Sequence, residues 1–107
     1  MENFPIPDFV NACRSGSQLE LLQILTERPY LLEITDNKHG WTPLYRTIMC
    51  QNFSASEFLI SLGADCNVKD KKGLSLLYQA VSNLQLKEVS LLISSKANLN
   101  EIQPGKT

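Results

Sequence analysis

The chain has 107 residues, a hydrophobic content of 43% and a formal net charge of −1. This length suits one small domain, and this hydrophobic content excludes a wholly disordered chain. The charge argues against a nucleic-acid-binding protein, which normally carries a basic surplus, and no apolar run approaches the roughly 18 residues of a membrane helix.

The cysteines and the N-terminal segment bear on the cellular compartment. Cys13, Cys50 and Cys66 are an odd number without metal-ligand spacing, and His39 is the only histidine. Reduced, unpaired thiols in an intracellular protein are the plain interpretation, so we expect no disulfide, metal or cofactor. Residues 1–8 lack the basic and apolar regions of a signal peptide. We therefore expect a cytoplasmic protein, with the nucleus as the alternative.

The first predicted unit is a pair of helices followed by a long connection. Residues 9–16 suit a first helix that ends at a glycine, and the apolar residues of 19–25 suit a second helix. Pro29 should stop the second helix, because proline lacks the backbone donor that a continuing helix needs. Residues 28–34 then make a longer connection than the later units have.

Two further units repeat one pattern. Residues 37–45 recur as residues 70–78, an offset of 33 positions, and residues 63–67 recur as 96–100 at the same offset. Such a period indicates a stacked array of small helical units rather than one globular core. Within each unit the apolar residues have helical spacing, whereas residues 65–73 favour a tight turn that projects from the helices.

Particular residues mark the predicted helix boundaries. Thr42 and Ser75 precede the first helices and can cap their free N–H groups, and Pro43 suits the first helical position. Gly63 follows the second helix, where a left-handed backbone favours glycine. Lys96 takes that place in the next unit, at a cost of about 1 kcal/mol if its backbone is left-handed.

The C-terminal residues 103–107 look like the opening of a further unit, so we expect a trimmed chain. A natural array would continue or end in a polar capping helix. The predicted organisation is a single domain, 1–107, whose units are about 8–36 (divergent), 37–69 and 70–102, with 103–107 as the start of a truncated unit.

These units resemble the ankyrin repeat. The resemblance rests on Gly-Trp-Thr-Pro-Leu-Tyr at 40–45, similar to the family's Gly-x-Thr-Pro-Leu-His. It rests also on Gly-Ala-Asp-Cys-Asn at 63–67, similar to the family's Gly-Ala-Asp-Val-Asn. The resemblance covers nearly the whole chain from about Asp8.

The chain departs from the family pattern at several positions. Tyr45 and Tyr78 replace the family's histidine, so the usual Thr–His hydrogen bond should be absent or altered. Gln51 and Leu84 replace the glycine between the two helices. The apolar pattern is intact, so we expect the same fold in a divergent array that is less stable than an idealised one.

The resemblance implies an all-α solenoid of about three helix-turn-helix units with projecting turns. It also implies a non-enzymatic protein–protein interaction module, an adaptor or scaffold. Arrays of this family typically bind through the tips of the turns and the concave face of the first helices. The corresponding residues here are Lys38, His39, Trp41, Lys71, Lys72 and Leu74 at the tips, and Arg14, Arg46, Met49, Cys50, Gln79, Ser82 and Asn83 on the concave face.

Two interpretations stay open for the tip residues. Trp41 is either a binding anchor, as tryptophan often is in interfaces, or a ring that covers the neighbouring turn. Leu74 occupies the equivalent position and could form one apolar strip with it. Lys69, Lys71 and Lys72 suit either an acidic partner segment or a solvated turn.

Two other functions also stay open. The chain could be a regulatory or targeting segment of a larger enzyme or channel whose active part lies beyond residue 107. It could also self-associate through an uncapped last unit, where Leu92, Ile93 and Leu99 would form an uncovered apolar face.

Overall fold

The computed structural model describes residues 7–95, which form six α-helices in three consecutive pairs. The helices are α1 Pro7–Ser15, α2 Gln18–Glu27, α3 Pro43–Met49, α4 Phe53–Ser61, α5 Leu76–Ser82 and α6 Leu86–Ser94. A short 3-10 helix, Pro29–Glu33, follows the first pair. Within the described range there is no β-strand, only an isolated bridge between Lys69 and Ser75. The all-α fold is confirmed.

The helices lie in two layers. The first helices of the pairs, α1, α3 and α5, contact one another in sequence, and α4 contacts both α2 and α6 in the second layer. Among residues 7–95, no helix is both long and apolar enough to cross a membrane. The core lies between the layers, and its largest fully buried side chains include Phe9, Leu21, Leu31, Leu44, Tyr45, Ile48, Leu59, Leu76, Leu77 and Leu92.

Side-chain caps begin the helices where the sequence predicted them. The hydroxyl of Thr42 accepts a hydrogen bond from the backbone N–H of Tyr45 at 3.2 Å, and that of Ser75 accepts one from Tyr78 at 3.0 Å. Pro43 occupies the start of α3. Each cap satisfies a donor that the first helical turn leaves free.

The turns between the paired helices of the second and third units use a left-handed backbone without glycine. Gln51 has φ +60° and Leu84 has φ +55°. The side chain of Leu84 is 78% exposed, so it gains little from packing. A non-glycine residue in this region costs roughly 1–2 kcal/mol, which gives the predicted loss of stability a specific location. Gly63, after α4, adopts φ +96° as expected.

A partly buried amide and a fully buried one fix the second and third pairs of helices against the preceding pair. Asn52 donates from Nδ2 to the carbonyls of Cys13 and Gly16, both at 3.2 Å. Gln85, the equivalent residue one unit later, donates from Nε2 to the carbonyl of Ile48 at 2.6 Å. These bonds reach carbonyls at the ends of α1 and α3, where the last helical turns leave acceptor capacity; the carbonyl of Ile48 also accepts from the backbone N–H of Gln51 at 3.0 Å.

The first unit differs from the others in its connection. The helix α2 ends at Glu27, and Pro29 begins the 3-10 helix, in agreement with its predicted role as a helix stop. Leu31 from this segment is fully buried. Glu33 accepts a hydrogen bond from the backbone N–H of Asp65 at 2.9 Å, so the connection also contacts the following unit.

One expectation about the last unit is wrong. Leu92, which was expected on an uncovered face, is fully buried, because it packs into the core between the helix layers. Ile93 is exposed to 46%, as that expectation required. Leu99, Lys96 and residues 103–107 lie outside the described residues.

The three cysteines differ in their exposure to solvent. Cys13 and Cys66 are buried, Cys50 is exposed, and all three are free. Burial is the main cause that raises the pKa of the Cys13 thiol, to about 12, and it also raises that of Cys66. Both buried residues are therefore protonated at neutral pH and pack as small apolar side chains.

Candidate functional site

The first projecting turn is built around the carboxylate of Asp36. Its Oδ1 atom accepts hydrogen bonds from the backbone N–H groups of His39, Gly40 and Trp41 at 2.7, 2.8 and 3.3 Å. The backbone N–H of Asp36 donates to the carbonyl of Trp41 at 3.1 Å and closes the turn. The sequence analysis did not select Asp36. The Asp-to-Gly spacing typical of such turns could have pointed to it.

Arg46 completes the environment of this carboxylate. Its Nη2 lies 2.6 Å from Oδ2 of Asp36, and the two side chains are only 15% and 2% exposed. Burial raises the pKa of Asp36, but the backbone donors and the Arg46 guanidinium lower it more, so its pKa lies below the ordinary value. Arg46 was predicted to bind a partner; within the described residues its Nη2 is paired with Asp36, and its side chain is only 15% exposed.

Trp41 is half-buried rather than fully exposed. Its ring stacks on His39, with centroids 4.2 Å apart, and on Tyr45, with centroids 5.6 Å apart. The Arg46 guanidinium lies 5.3 Å from the centre of the indole ring. The ring therefore supports its own turn, and it also lines the groove described below, so its role as a binding anchor stays a prediction.

The second turn is also built around an aspartate carboxylate that accepts backbone hydrogen bonds, but it is one residue shorter. Oδ1 of Asp70 accepts from the backbone N–H groups of Lys72 and Leu74, each at 2.9 Å. The closing bond runs from the N–H of Asp70 to the carbonyl of Leu74 at 3.0 Å. Leu74 thus takes the position that Trp41 has in the first turn, with one residue fewer between it and the aspartate.

The two turns are joined to each other. The backbone N–H of Lys71 donates to the carbonyl of His39 at 2.9 Å, and its ammonium group donates to the carbonyl of Asn37. A Cβ atom on Gly40 would lie 2.8 Å from Cγ of Lys71, and Gly40 has φ +74°. Only glycine adopts this left-handed backbone without strain and also leaves room for the Lys71 side chain. The joined tips therefore form one preorganised surface.

A groove lies between the joined tips, with a volume of about 180 Å³. Trp41 and Leu74 contribute its apolar surface, and Gln79 reaches it from α5. The volume is below the roughly 300–1,000 Å³ of pockets that bind small molecules, and it suits a single side chain of a partner. The residues that line the groove, called the tip groove below, are Lys38, His39, Trp41, Asp70, Lys71, Lys72, Leu74 and Gln79.

The first helices present a second accessible surface beside the tips. Met49 at the end of α3 is half-buried, and Ser82 at the end of α5 is exposed. The residues that follow these helices, Cys50 and Asn83, are exposed as well. Arg14 on α1 is exposed as well, as predicted for the first unit. Taken with the tips, all thirteen predicted binding residues are at least partly accessible. They are Arg14, Lys38, His39, Trp41, Arg46, Met49, Cys50, Lys71, Lys72, Leu74, Gln79, Ser82 and Asn83.

Asn11 belongs to this surface and was missed by the sequence analysis. The N-caps Ser17 and Asn52 of the second helices lie 35 positions apart, so Asn11 is the counterpart of Arg46. Its side chain is exposed on α1. The sequence analysis missed Asn11 because the first unit has an irregular length, which obscures its alignment with the later units.

Within residues 9–95, no three His, Cys, Asp or Glu side chains are grouped so that they could hold a metal ion.

Comparison with known sequences agrees with this architecture. The profile described as "Ankyrin repeats (3 copies)" matches residues 9–103. The chain belongs to the ankyrin-repeat family. In ankyrin terms the joined turns are the projecting tips, and α1, α3 and α5 are the first helices of the repeats. Tyr45, which replaces the family's histidine, makes the predicted altered contact, because its hydroxyl donates to the next repeat rather than to Thr42.

Several longer proteins share this ankyrin segment. The chain is 34% identical over 83 residues to Ankyrin repeat protein nuc-2 from Neurospora crassa, covering 78% of this chain and 8% of that protein. It is 29% identical over 91 residues to the rat Ankyrin repeat and SAM domain-containing protein 6, covering 83% of this chain and 10% of that protein. A putative ankyrin repeat protein of fowlpox virus is 38% identical over 47 residues, which cover 44% of this chain and 18% of that protein. The chain thus spans less than a fifth of these relatives.

Proposed function

We propose that this chain is a non-enzymatic adaptor or scaffold that holds a partner protein against the tip groove and the adjoining face of the first helices. Ankyrin repeats generally mediate protein–protein interaction, and the joined tips support this specific site. Lys71 bonds to two carbonyls of the first turn, and each turn is closed on its own aspartate. A surface ordered before binding loses less conformational entropy on association.

The groove itself favours a protein partner over a small molecule. Trp41 and Leu74 form an apolar centre, and exposed lysines surround it. Protein interfaces combine an apolar core with a polar rim in this way, and their binding energy is concentrated in a few residues. We place those residues at Trp41, Leu74 and Gln79.

A second function is favoured by the lengths of the relatives. Because the chain spans only 8–18% of the four proteins it was matched to, an ankyrin segment of this kind is often one part of a larger protein. The chain would then regulate or target an enzyme or channel to which it is joined.

Three free cysteines, two of them buried, support our proposal that it acts in the cytoplasm or nucleus.

A pull-down from cell extract tests the proposal. The wild-type chain is compared with a Trp41→Ala, Leu74→Ala double variant, and bound proteins are identified by mass spectrometry. Because Trp41 also supports its turn, a Lys38→Ala, Lys72→Ala variant tests the same surface through exposed side chains only. Leu19→Ala on α2, where the side chain is 62% exposed, is the control.

We expect a partner that the wild type and the Leu19 control retain and that both tip variants lose. Circular dichroism shows whether each variant is folded. Equal recovery by folded tip variants would contradict the proposed site.

A further inference from the structure

We propose that the tip groove binds an acidic, extended segment of the partner that inserts one apolar side chain between Trp41 and Leu74. This inference rests on the proposed function and specifies the chemistry of the partner. It follows from the charge around the groove, from the apolar surface within it and from its size.

The rim of the groove is basic although the whole chain has a net charge of −1. Lys38, Lys71 and Lys72 line the groove, and Asp70 is its one acidic lining residue. One carboxylate oxygen of Asp70 already accepts two backbone hydrogen bonds. Asp36 lies close by but is only 2% exposed and pairs with Arg46. An approaching segment therefore meets mainly positive charge.

Two of the three lysines are available to a partner. Lys71 donates its ammonium group to the carbonyl of Asn37 and so joins the turns. Lys38 and Lys72 are exposed, and among the described residues neither forms an ion pair. They lie on opposite turns, so carboxylates on either side of a central residue could reach them. Such rim charges steer association and select partners.

The centre of the groove suits one apolar side chain. The indole of Trp41 and the side chain of Leu74 are half-buried, which leaves part of each open to the groove. The volume of about 180 Å³ is too small for an element of secondary structure. An extended segment with a single leucine-like or aromatic anchor fits this geometry.

Single-stranded nucleic acid is the other class of polyanion that a basic rim with an aromatic residue could attract. Such binding requires aromatic faces on which bases stack. Trp41 is already stacked on His39 and Tyr45 within the chain. The observations therefore favour the acidic protein segment.

Selection from a random peptide library displayed on phage tests this inference with a defined probe. Peptides are selected on the wild-type chain and counter-selected on the Trp41→Ala, Leu74→Ala variant. Enriched sequences are synthesised with a fluorescent label and titrated by anisotropy against the wild type, the single variants Lys38→Gln, Lys72→Gln and Lys87→Gln, and the double variant Lys38→Gln, Lys72→Gln. Lys87 is the second residue of α6, away from the tip groove, and its ammonium group lies 5.2 Å from the centre of the Phe53 ring, so its variant is the charge-matched control for each single tip variant.

We expect enriched peptides with acidic residues on both sides of one apolar residue. Loss of both tip lysines should weaken their binding about fivefold, since exposed charge pairs contribute up to roughly 1 kcal/mol. The Lys87 variant should bind as the wild type does, and added salt should weaken binding by screening.

Three outcomes would overturn the inference. Enrichment of neutral or basic peptides that still require Trp41 and Leu74 would contradict an acidic partner but leave the proposed binding site intact. A single-stranded oligonucleotide that binds the tips more tightly than the enriched peptides do would indicate nucleic acid, rather than a protein, as the partner. Recovery of no peptide that depends on the tips would contradict both the inference and the proposed site.

Discussion

The hydroxyl of Tyr45 donates a hydrogen bond to the backbone carbonyl of Leu74 at 2.9 Å, so a side chain of one repeat ends on the turn of the next. Burial and the nearby charge of Asp70 raise the pKa of this hydroxyl above its ordinary value, which keeps the donor proton in place. The same Tyr45 ring stacks on Trp41. The core and the tip groove are therefore coupled through one residue.

The substitution Tyr45→Phe tests this coupling. It keeps the ring and removes the hydroxyl, which donates to the carbonyl of Leu74 at 2.9 Å and lies 3.5 Å from that of Ser75, so the free energy of unfolding should fall by about 1 kcal/mol. The loss should not be larger, because the carbonyl of Leu74 also accepts from the N–H of Asp70. Urea titration gives the measurement. Tyr78→Phe is the matched control: no partner of the Tyr78 hydroxyl lies within residues 9–95, so a change of the same size there would contradict the account.

Asp36→Asn should destabilise the chain by about 2 kcal/mol at neutral pH, because it removes a charged acceptor of three backbone N–H groups and of Arg46. The pKa of Asp36 is lower in the folded chain than in the unfolded chain. Its stabilising contribution is therefore complete above the unfolded pKa of about 4 and is lost as the pH falls through the folded value.

Urea titrations of wild type and Asp36→Asn at a series of pH values check this dependence. The difference in unfolding free energy between the two chains should be largest near neutral pH and shrink below about pH 4. A difference that stays constant across this range would show that the charge of Asp36 does not stabilise the turn.

Gln85→Ala should lower the unfolding free energy by about 1–2 kcal/mol, since the side chain is 5% exposed and bonds to the carbonyl of Ile48 in the preceding repeat. Gln18→Ala is a matched control. Gln18 also bonds across repeats, to the carbonyl of Ser54 at 3.2 Å, but it is exposed. The control should change stability by less than about 0.5 kcal/mol. Equal effects would show that burial of the amide does not matter.

Leu84→Gly should stabilise the chain by about 0.5–1 kcal/mol, because glycine adopts φ +55° without the steric cost that leucine bears. Little packing is lost, since Leu84 is 78% exposed. The reverse change is Gly63→Ala, where an added Cβ meets no atom within 4 Å and φ is +96°. Thermal unfolding should show higher stability for Leu84→Gly and lower stability for Gly63→Ala than for the wild type. A loss in both would refute the conformational explanation.

The fold was predictable from the sequence because the same motif occurs twice, so each copy supports the assignment of the other. Thr42 and Ser75 mark equivalent helix starts, and each is observed as a cap. Leu92 shows where this reasoning failed. Apolar spacing identifies a helix face, but it does not say whether that face lies between layers or at the end of a stack, and here it lies in the core.

The position of the tip groove was predictable from the sequence, but the interactions that build it were not. The tip residues follow from the register of the repeat, and Trp41 and Leu74 do line one groove. The pairing of Asp36 with Arg46 could not be predicted in the same way, because the two residues are ten positions apart and their side chains meet only in the folded chain. Such contacts arise from tertiary packing, which no local pattern of this sequence encodes.

Site-specific photo-crosslinking tests the central claim most directly, because it reports physical contact with a partner rather than a loss of binding. A benzophenone amino acid replaces Leu74 in the tip groove or Leu19 on the outer helix α2, and each chain is irradiated in cell extract with and without excess wild-type chain. The proposal predicts a defined crosslinked protein from position 74 that the wild-type chain displaces, and none from position 19. Crosslinks of equal strength from both positions, or displaceable crosslinks from position 19 alone, would contradict a binding site at the joined tips.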